Sequence, residues 1–181
     1  FNGIEFTVWP TPGHTVGSIS ISAVIDEKKI FFTGDLIYEG GKLWSLAATM
    51  WSYNGGEGLP YHVLSLSMIK EQGFDCLLPS HGEAITSVND IDSLLRNLMQ
   101  LMKTRKQNFR LSYLMENPYE ELAEHVLYNR TSTANSYVLV SRSGKALFLD
   151  FGYDFMEGTA SGSDRSSRRP WLYTIPKLMK E

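Results

Sequence analysis

The sequence predicts an α/β fold. Short apolar runs of strand length alternate with longer segments whose apolar side chains recur at helical spacing. Glycine and proline mark most of the junctions. Ile4 to Trp9 reads as a strand with Ile4, Phe6 and Val8 on one face, and Pro10, Pro12 and Gly13 break it. Ser18 to Ile25 alternates Ile19, Ile21 and Ala23 against Ser18, Ser20 and Ser22, as a strand with two unlike faces does. Asp26 to Lys29 reads as a turn, Ile30 to Phe32 as a short buried strand, and Thr33-Gly34-Asp35 as its end.

Residues 38–58 are rich in glycine and aromatics without a clean period, and a loop of that length inside a compact domain is usually functional or mobile. Pro60 opens a helix that carries Val63, Leu64, Leu66 and Ile69 and stops at Gly73. Cys76 to Leu78 reads as a buried strand stopped by Pro79. Asn89 or Asp90 caps a long helix with Ile91, Leu94, Leu95, Leu98, Leu101 and Met102 on its apolar side. Its basic end, Lys103 to Arg110, complements the C-terminal dipole and reads as a solvated helix end.

The character changes after Arg110. A short helix is expected over Pro118 to Leu127 and a polar turn over Thr131 to Asn135. Tyr137 to Val140 and Ala146 to Leu149 form a hairpin candidate that ends at Asp150. Residues 158–169 are rich in Gly, Ser and Arg and read as a loop, and Trp171 to Lys180 as a final helix. Residues 18–35 and 136–150 echo each other, each running strand, polar turn, strand, aspartate.

The chain has 181 residues, enough for one domain or a little more with a sizeable core. Its formal charge of -3 gives no electrostatic footprint for nucleic acid, so no nucleic-acid partner is expected. No apolar run reaches the roughly 20 residues that span a bilayer, and no membrane association is expected. The single cysteine, Cys76, excludes an intrachain disulfide and reads as a buried thiol. It leans toward a reducing compartment such as the cytoplasm without fixing one.

Three segments carry residue types suited to metal chemistry. In Thr11-Pro12-Gly13-His14-Thr15-Val16-Gly17-Ser18 an imidazole sits in a tight glycine-bearing loop between two strands. Phe32-Thr33-Gly34-Asp35 sets a carboxylate at a strand end, and Leu78-Pro79-Ser80-His81-Gly82 sets a second imidazole at another. Ligands at strand ends can converge on one sheet edge. Imidazole nitrogen and carboxylate oxygen suit zinc, at about 2.0–2.2 Å, and also iron or manganese. Taken singly, each residue would be a structural histidine or a turn aspartate. The other histidines, His62 at a helix start and His125 in the helix expected near it, read as structural or solvent-facing.

These three motifs, in this order and with such strands between them, resemble the C-terminal half of the metallo-β-lactamase superfamily over residues 1–110. The resemblance implies an αββα sandwich, incomplete in this chain. It implies that His14 binds one metal, Asp35 bridges two, and His81 binds the second. Zinc is the metal it favours, with iron or manganese as alternatives. The family's remaining ligands lie in an upstream His-x-His-x-Asp-His motif, and none of the histidines at 14, 62, 81 and 125 falls in one. By family logic, then, this chain alone would not form the dinuclear centre.

Residues 111–134 read as a connecting segment. Residues 135–181 are similar to the opening hairpin of the same family, in a second domain or the same one. There the aspartate matching Asp150 supports the metal loop without touching the metals. The chain starts with Phe1 rather than Met and stops at Glu181, about where a histidine motif would follow, so a fragment of a tandem or permuted protein is expected.

The expected activity of the parent protein is hydrolysis of a small-molecule substrate. A metal-bound hydroxide would attack an ester, thioester, lactone, amide or phosphoester. Asp35 stands where several true β-lactamases carry cysteine, which argues against antibiotic cleavage. The alternative is a non-catalytic scaffold or oligomerisation module. A homo-oligomer, or complementation by the missing half, is compatible with either. Trp44, Trp51 and Tyr53 either wall a substrate pocket or pack the long loop; Arg165, Arg168 and Arg169 either meet an anion or lie in solvent.

Overall fold

A computed structural model describes residues 3–15, 17–45, 58–106, 109–132, 135–150 and 178–179. The chain divides into two compact units, 1–51 with 57–105, and 52–56 with 106–181. The described residues are mixed α/β, with two four-stranded sheets and three helices.

In the first unit the sheet order is β1-β2-β3-β4, with β1 at Phe6–Pro10, β2 at Ile19–Ile25, β3 at Lys28–Gly34 and β4 at Cys76–Pro79. β1, β2 and β3 pair antiparallel in turn, and β4 lies parallel to β3. The β2–β3 turn is tighter than the four residues expected. Asp26 and Glu27 both take positive φ, 50° and 63°, the backbone of the two-residue turn whose twist matches a hairpin. A parallel neighbour needs a crossover, and α1, Gly58–Gln72, supplies it between β3 and β4. α2, Val88–Lys106, follows β4.

The two faces of this sheet are unlike. Ser20, Ser22, Phe31, Thr33 and Leu77 share the covered face, all nearly or wholly buried. Leu59, Val63, Leu66 and Ile69 of α1 and Ile91, Leu94, Leu98 and Met102 of α2 supply the rest of this unit's core. The helical stripe expected for α2 is therefore present, with Leu95 and Leu101 at its half-buried margin. The other face carries Phe6, Val8, Ile19, Ile21, Ala23, Ile30, Phe32, Cys76 and Leu78, with Ala23 buried at its middle. Phe6, Val8, Ile19 and Phe32 are each more than a third exposed, Val8 at 58%. Cys76, expected as a buried thiol, is only half-buried on this face.

In the second unit α3, Leu111–Glu116, precedes an antiparallel meander. Its strands are β5 at Tyr119–Ala123, β6 at Val126–Asn129, β7 at Ser136–Val140 and β8 at Ala146–Leu149. The hairpin expected at 137–149 is present as β7 and β8. The helix expected over Pro118 to Leu127 is not: that stretch is the β5–β6 hairpin, turning at Glu124 and His125. Glu120, Glu121, Leu122 and Ala123 favour helix locally, but β6 is paired on both sides, by β5 and by β7, and this ladder outweighs the local preference. His125 thus lies in an exposed turn with φ 72°. The polar stretch after β6 is held by the buried Asn129 carboxamide, whose oxygen accepts from Thr131 N at 2.9 Å and Thr131 Oγ1 at 2.7 Å.

The final helix expected at 171–180 lies almost entirely outside the described residues, and so do the Gly/Ser/Arg loop, Arg165, Arg168, Arg169, Trp51 and Tyr53. No helix of the described residues is long and apolar enough to cross a membrane.

Candidate functional site

Strand direction explains how three distant residues meet. β1 and β3 flank β2 and are each antiparallel to it, so they point the same way, and β4 is parallel to β3. The carboxyl ends of β1, β3 and β4 therefore lie at one edge of the sheet. His14 follows β1, Asp35 follows β3 and His81 follows β4. Such an edge is where α/β sheets commonly bind ligands.

Backbone bonds fix the three loops. Thr11 N donates to Ser18 O at 3.0 Å and Gly13 N to Thr15 O at 3.2 Å, which close the loop bearing His14. The Ser18 hydroxyl accepts from Thr15 N at 3.0 Å and pairs with Thr15 Oγ1 at 2.9 Å, so these two side chains serve the turn. Ser80 N donates to Gly34 O at 2.9 Å, joining the Asp35 loop to the His81 loop.

The result is one carboxylate between two imidazoles. His14 Nε2 lies 3.5 Å from Asp35 Oδ2, and His81 Nε2 lies 3.5 Å from Asp35 Oδ1. The side chains of His14 and Asp35 are about a third exposed, at 34% and 30%, and His81 is more open. Among the described residues no group of three or more His, Cys, Asp or Glu side chains is placed to hold a metal ion. The arrangement is a shared carboxylate with one imidazole on each oxygen, not a closed three-donor pocket.

Sequence reasoning passed over Glu39, Tyr38 and Ser65 at this edge and named Trp44 and His62 without placing them. Glu39 Oε2 accepts from Glu83 N at 2.9 Å, so the loop after Asp35 grips the loop after His81. Trp44 stands beside His81 with ring centroids 5.5 Å apart, and Tyr38 meets Trp44 edge-on at 5.5 Å. Trp44 is itself 66% exposed. Beneath the His14 loop, α1 presents Ser65, whose hydroxyl donates to Pro12 O at 2.7 Å, and His62, which is wholly buried. Burial lowers the His62 pKa to about 4, so its imidazole is neutral. A glycine's or a glutamate's role in gripping another loop leaves no spacing signal in the sequence, because its partners are far away along the chain.

Asp150, expected to support a metal loop, ends β8 in the second unit, exposed and with φ 61°. No described hydrogen bond or ion pair assigns it such a task. A cavity of about 440 Å³, lined by Glu5, Trp9, Ser22 and Lys29 among others, lies toward the opposite end of the sheet, away from His14 and Asp35.

A scan of protein-family models finds no family that matches this chain, and a search of curated proteins finds no matching relative. The functional reading therefore rests on the residues and their geometry.

Proposed function

We propose that this chain carries one side of a dinuclear metal site of the metallo-β-lactamase kind, in a hydrolase that acts on a small-molecule substrate. The observation that supports the reading is the spacing around Asp35. Two donors, each about 2.0–2.1 Å from one tetrahedral ion, stand about 3.3–3.4 Å apart. Both His–Asp pairs are separated by 3.5 Å, and they use different carboxylate oxygens. That separation is close to what a carboxylate shared by two ions would need, and it is also the contact distance of an ordinary His–Asp pair.

The donor set fits one half of such a centre. Each ion would take one imidazole and one carboxylate oxygen from the described residues, where catalytic zinc takes three protein ligands. The remaining donors would come from elsewhere. Zinc suits the two nitrogens and the carboxylate, and iron or manganese would accept them. When bound, the metals would lower the pKa of a water and stabilise negative charge on the attacked carbonyl or phosphoryl oxygen. The chain's own contribution is to hold the carboxylate between the imidazoles and to set Trp44 beside His81, with Tyr38 against Trp44.

The αββα sandwich belongs to the same reading. A sheet with one covered face and one apolar open face calls for a further layer. Both sheets have this form: the first exposes Phe6, Val8, Ile19 and Phe32, the second Leu139, Leu147 and Leu149. The same open faces favour a second reading, in which the chain is a scaffold or is complemented by another chain and performs no chemistry. Calorimetric titration with Zn²⁺ separates the two. The hydrolase reading expects saturable binding that is lost when His14, Asp35 and His81 are all replaced by alanine. Absence of binding both to the unaltered chain and to an intact parent protein that supplies the remaining donors would leave the scaffold reading.

A further inference from the structure

His62 occupies an unusual place for an ionisable side chain. It lies on α1 with no exposed surface, and neither ring nitrogen has a partner of full hydrogen-bond geometry. Burying an unpaired polar ring is costly, and an apolar side chain would fill the same space without that cost. The carbonyls of Gly58, Gly13 and Leu36 nevertheless crowd the ring closely enough to oppose the effect of desolvation on its pKa. Those three carbonyls belong to different segments: the start of α1, the residue before His14 and the residue after Asp35. The fit against the His14 loop is close. A Cβ placed on Gly13 would lie 2.4 Å from His62 Nδ1, so only glycine lets the loop settle on the ring. Three residues along the same helix, Ser65 holds the preceding carbonyl, that of Pro12, at 2.7 Å.

We propose that His62 is a positioning residue: its buried ring, wedged between the backbone before His14 and the backbone after Asp35, sets the separation of those two side chains. A neutral imidazole has one N–H to give and one nitrogen that can accept. It can therefore donate to only one of the three carbonyls at a time, and the others meet it by packing. α1 in this way serves as the floor of the site as well as the crossover between β3 and β4. The inference deepens the metal-centre reading and rests on it only for the purpose of the spacing, not for the spacing itself.

The test uses the full chain and reads the imidazoles directly, by long-range ¹H–¹⁵N spectra without metal, together with Co²⁺ titration followed by absorption. In His62→Ala, with the fold checked by circular dichroism, the His14 ring signals are expected to shift and broaden while those of His81 stay in place. His62→Gln or His62→Asn, which return an N–H to the pocket, should restore the His14 signals. Co²⁺ affinity should fall about tenfold or more in His62→Ala and recover in the variant that restores the signals. Should His62→Ala fail to fold, Gly13→Ala pushes on the ring from the loop side and should displace the His14 signals in the same way. Unchanged His14 signals in a folded His62→Ala chain, or equal changes at His14 and His81, would overturn the proposal. If neither the unaltered chain nor an intact parent protein binds Co²⁺, the metal reading fails while the ring spectra still decide the role of His62.

Discussion

Asp35 sits at the junction of two loops that meet because Ser80 N reaches Gly34 O, and its two oxygens are divided between His14 and His81. His62 offers the sharpest pH prediction at this scale. The unfolded chain takes up a proton on this ring near pH 6.5, whereas the folded chain resists until about pH 4. Above pH 6.5 the ring is neutral in both states and adds no pH dependence to the stability. As the pH falls from 6.5 to 4 the unfolded state alone gains protons, so the folded state loses up to about 3 kcal/mol, and the loss is complete below pH 4. Urea unfolding across this range should show a steeper loss for the unaltered chain than for His62→Gln; parallel curves would contradict it. The three residues on Asp35's edge were legible in the sequence because each lies in a short motif with glycine and a strand end. Glu39 and Ser65 were not, because each acts on backbone more than 40 residues away along the chain, and the structural reading of His62 did not say which loops its ring meets.

Gly41 shows how an element fixes a loop. With φ 68° it lies in the short turn closed by Tyr38 and Lys42, and a Cβ there would stand 2.3 Å from the carbonyl oxygen of Asp90 in α2. The turn is pressed onto the first turn of the helix, and this seats Trp44 and Glu39 near His81. Gly41→Ala meets both a strained backbone and a fixed carbonyl, and should destabilise the fold by about 2 kcal/mol or more. An unchanged urea midpoint would contradict this packing. In the core, Phe31 is wholly buried between Ser22 and Leu77 in the sheet, and Phe31→Ala should cost about 3–5 kcal/mol, read from the same denaturation. Strands and helices with a clear apolar period were legible: β2, the helical stripe of α2 and the β7–β8 hairpin stand close to where the sequence puts them. The β5–β6 hairpin was not, since Glu120, Glu121, Leu122 and Ala123 favour helix and pairing with β7 outweighs them.

At the scale of the molecule, the described residues leave an apolar face of each sheet partly exposed. Exposed apolar area of this kind marks an interaction surface or an aggregation hazard. Light scattering behind a sizing column should show self-association that rises with concentration. Val8→Lys combined with Phe32→Lys should reduce it without loss of secondary structure, because both side chains lie on the first unit's open face. A monomer at all concentrations, unaltered by these changes, would contradict that reading. The α/β class, the first sheet and the β7–β8 half of the second were readable from periodicity, but periodicity alone does not say which apolar face another layer covers. The central claim is that Asp35 belongs to two half-sites at once, and the direct measurement is Zn²⁺ stoichiometry by calorimetry across single variants. Asp35→Ala should abolish the Zn²⁺ binding that the unaltered chain shows, while His14→Ala and His81→Ala should each remove only part of it. An Asp35→Ala chain that binds Zn²⁺ as the unaltered chain does would contradict the account.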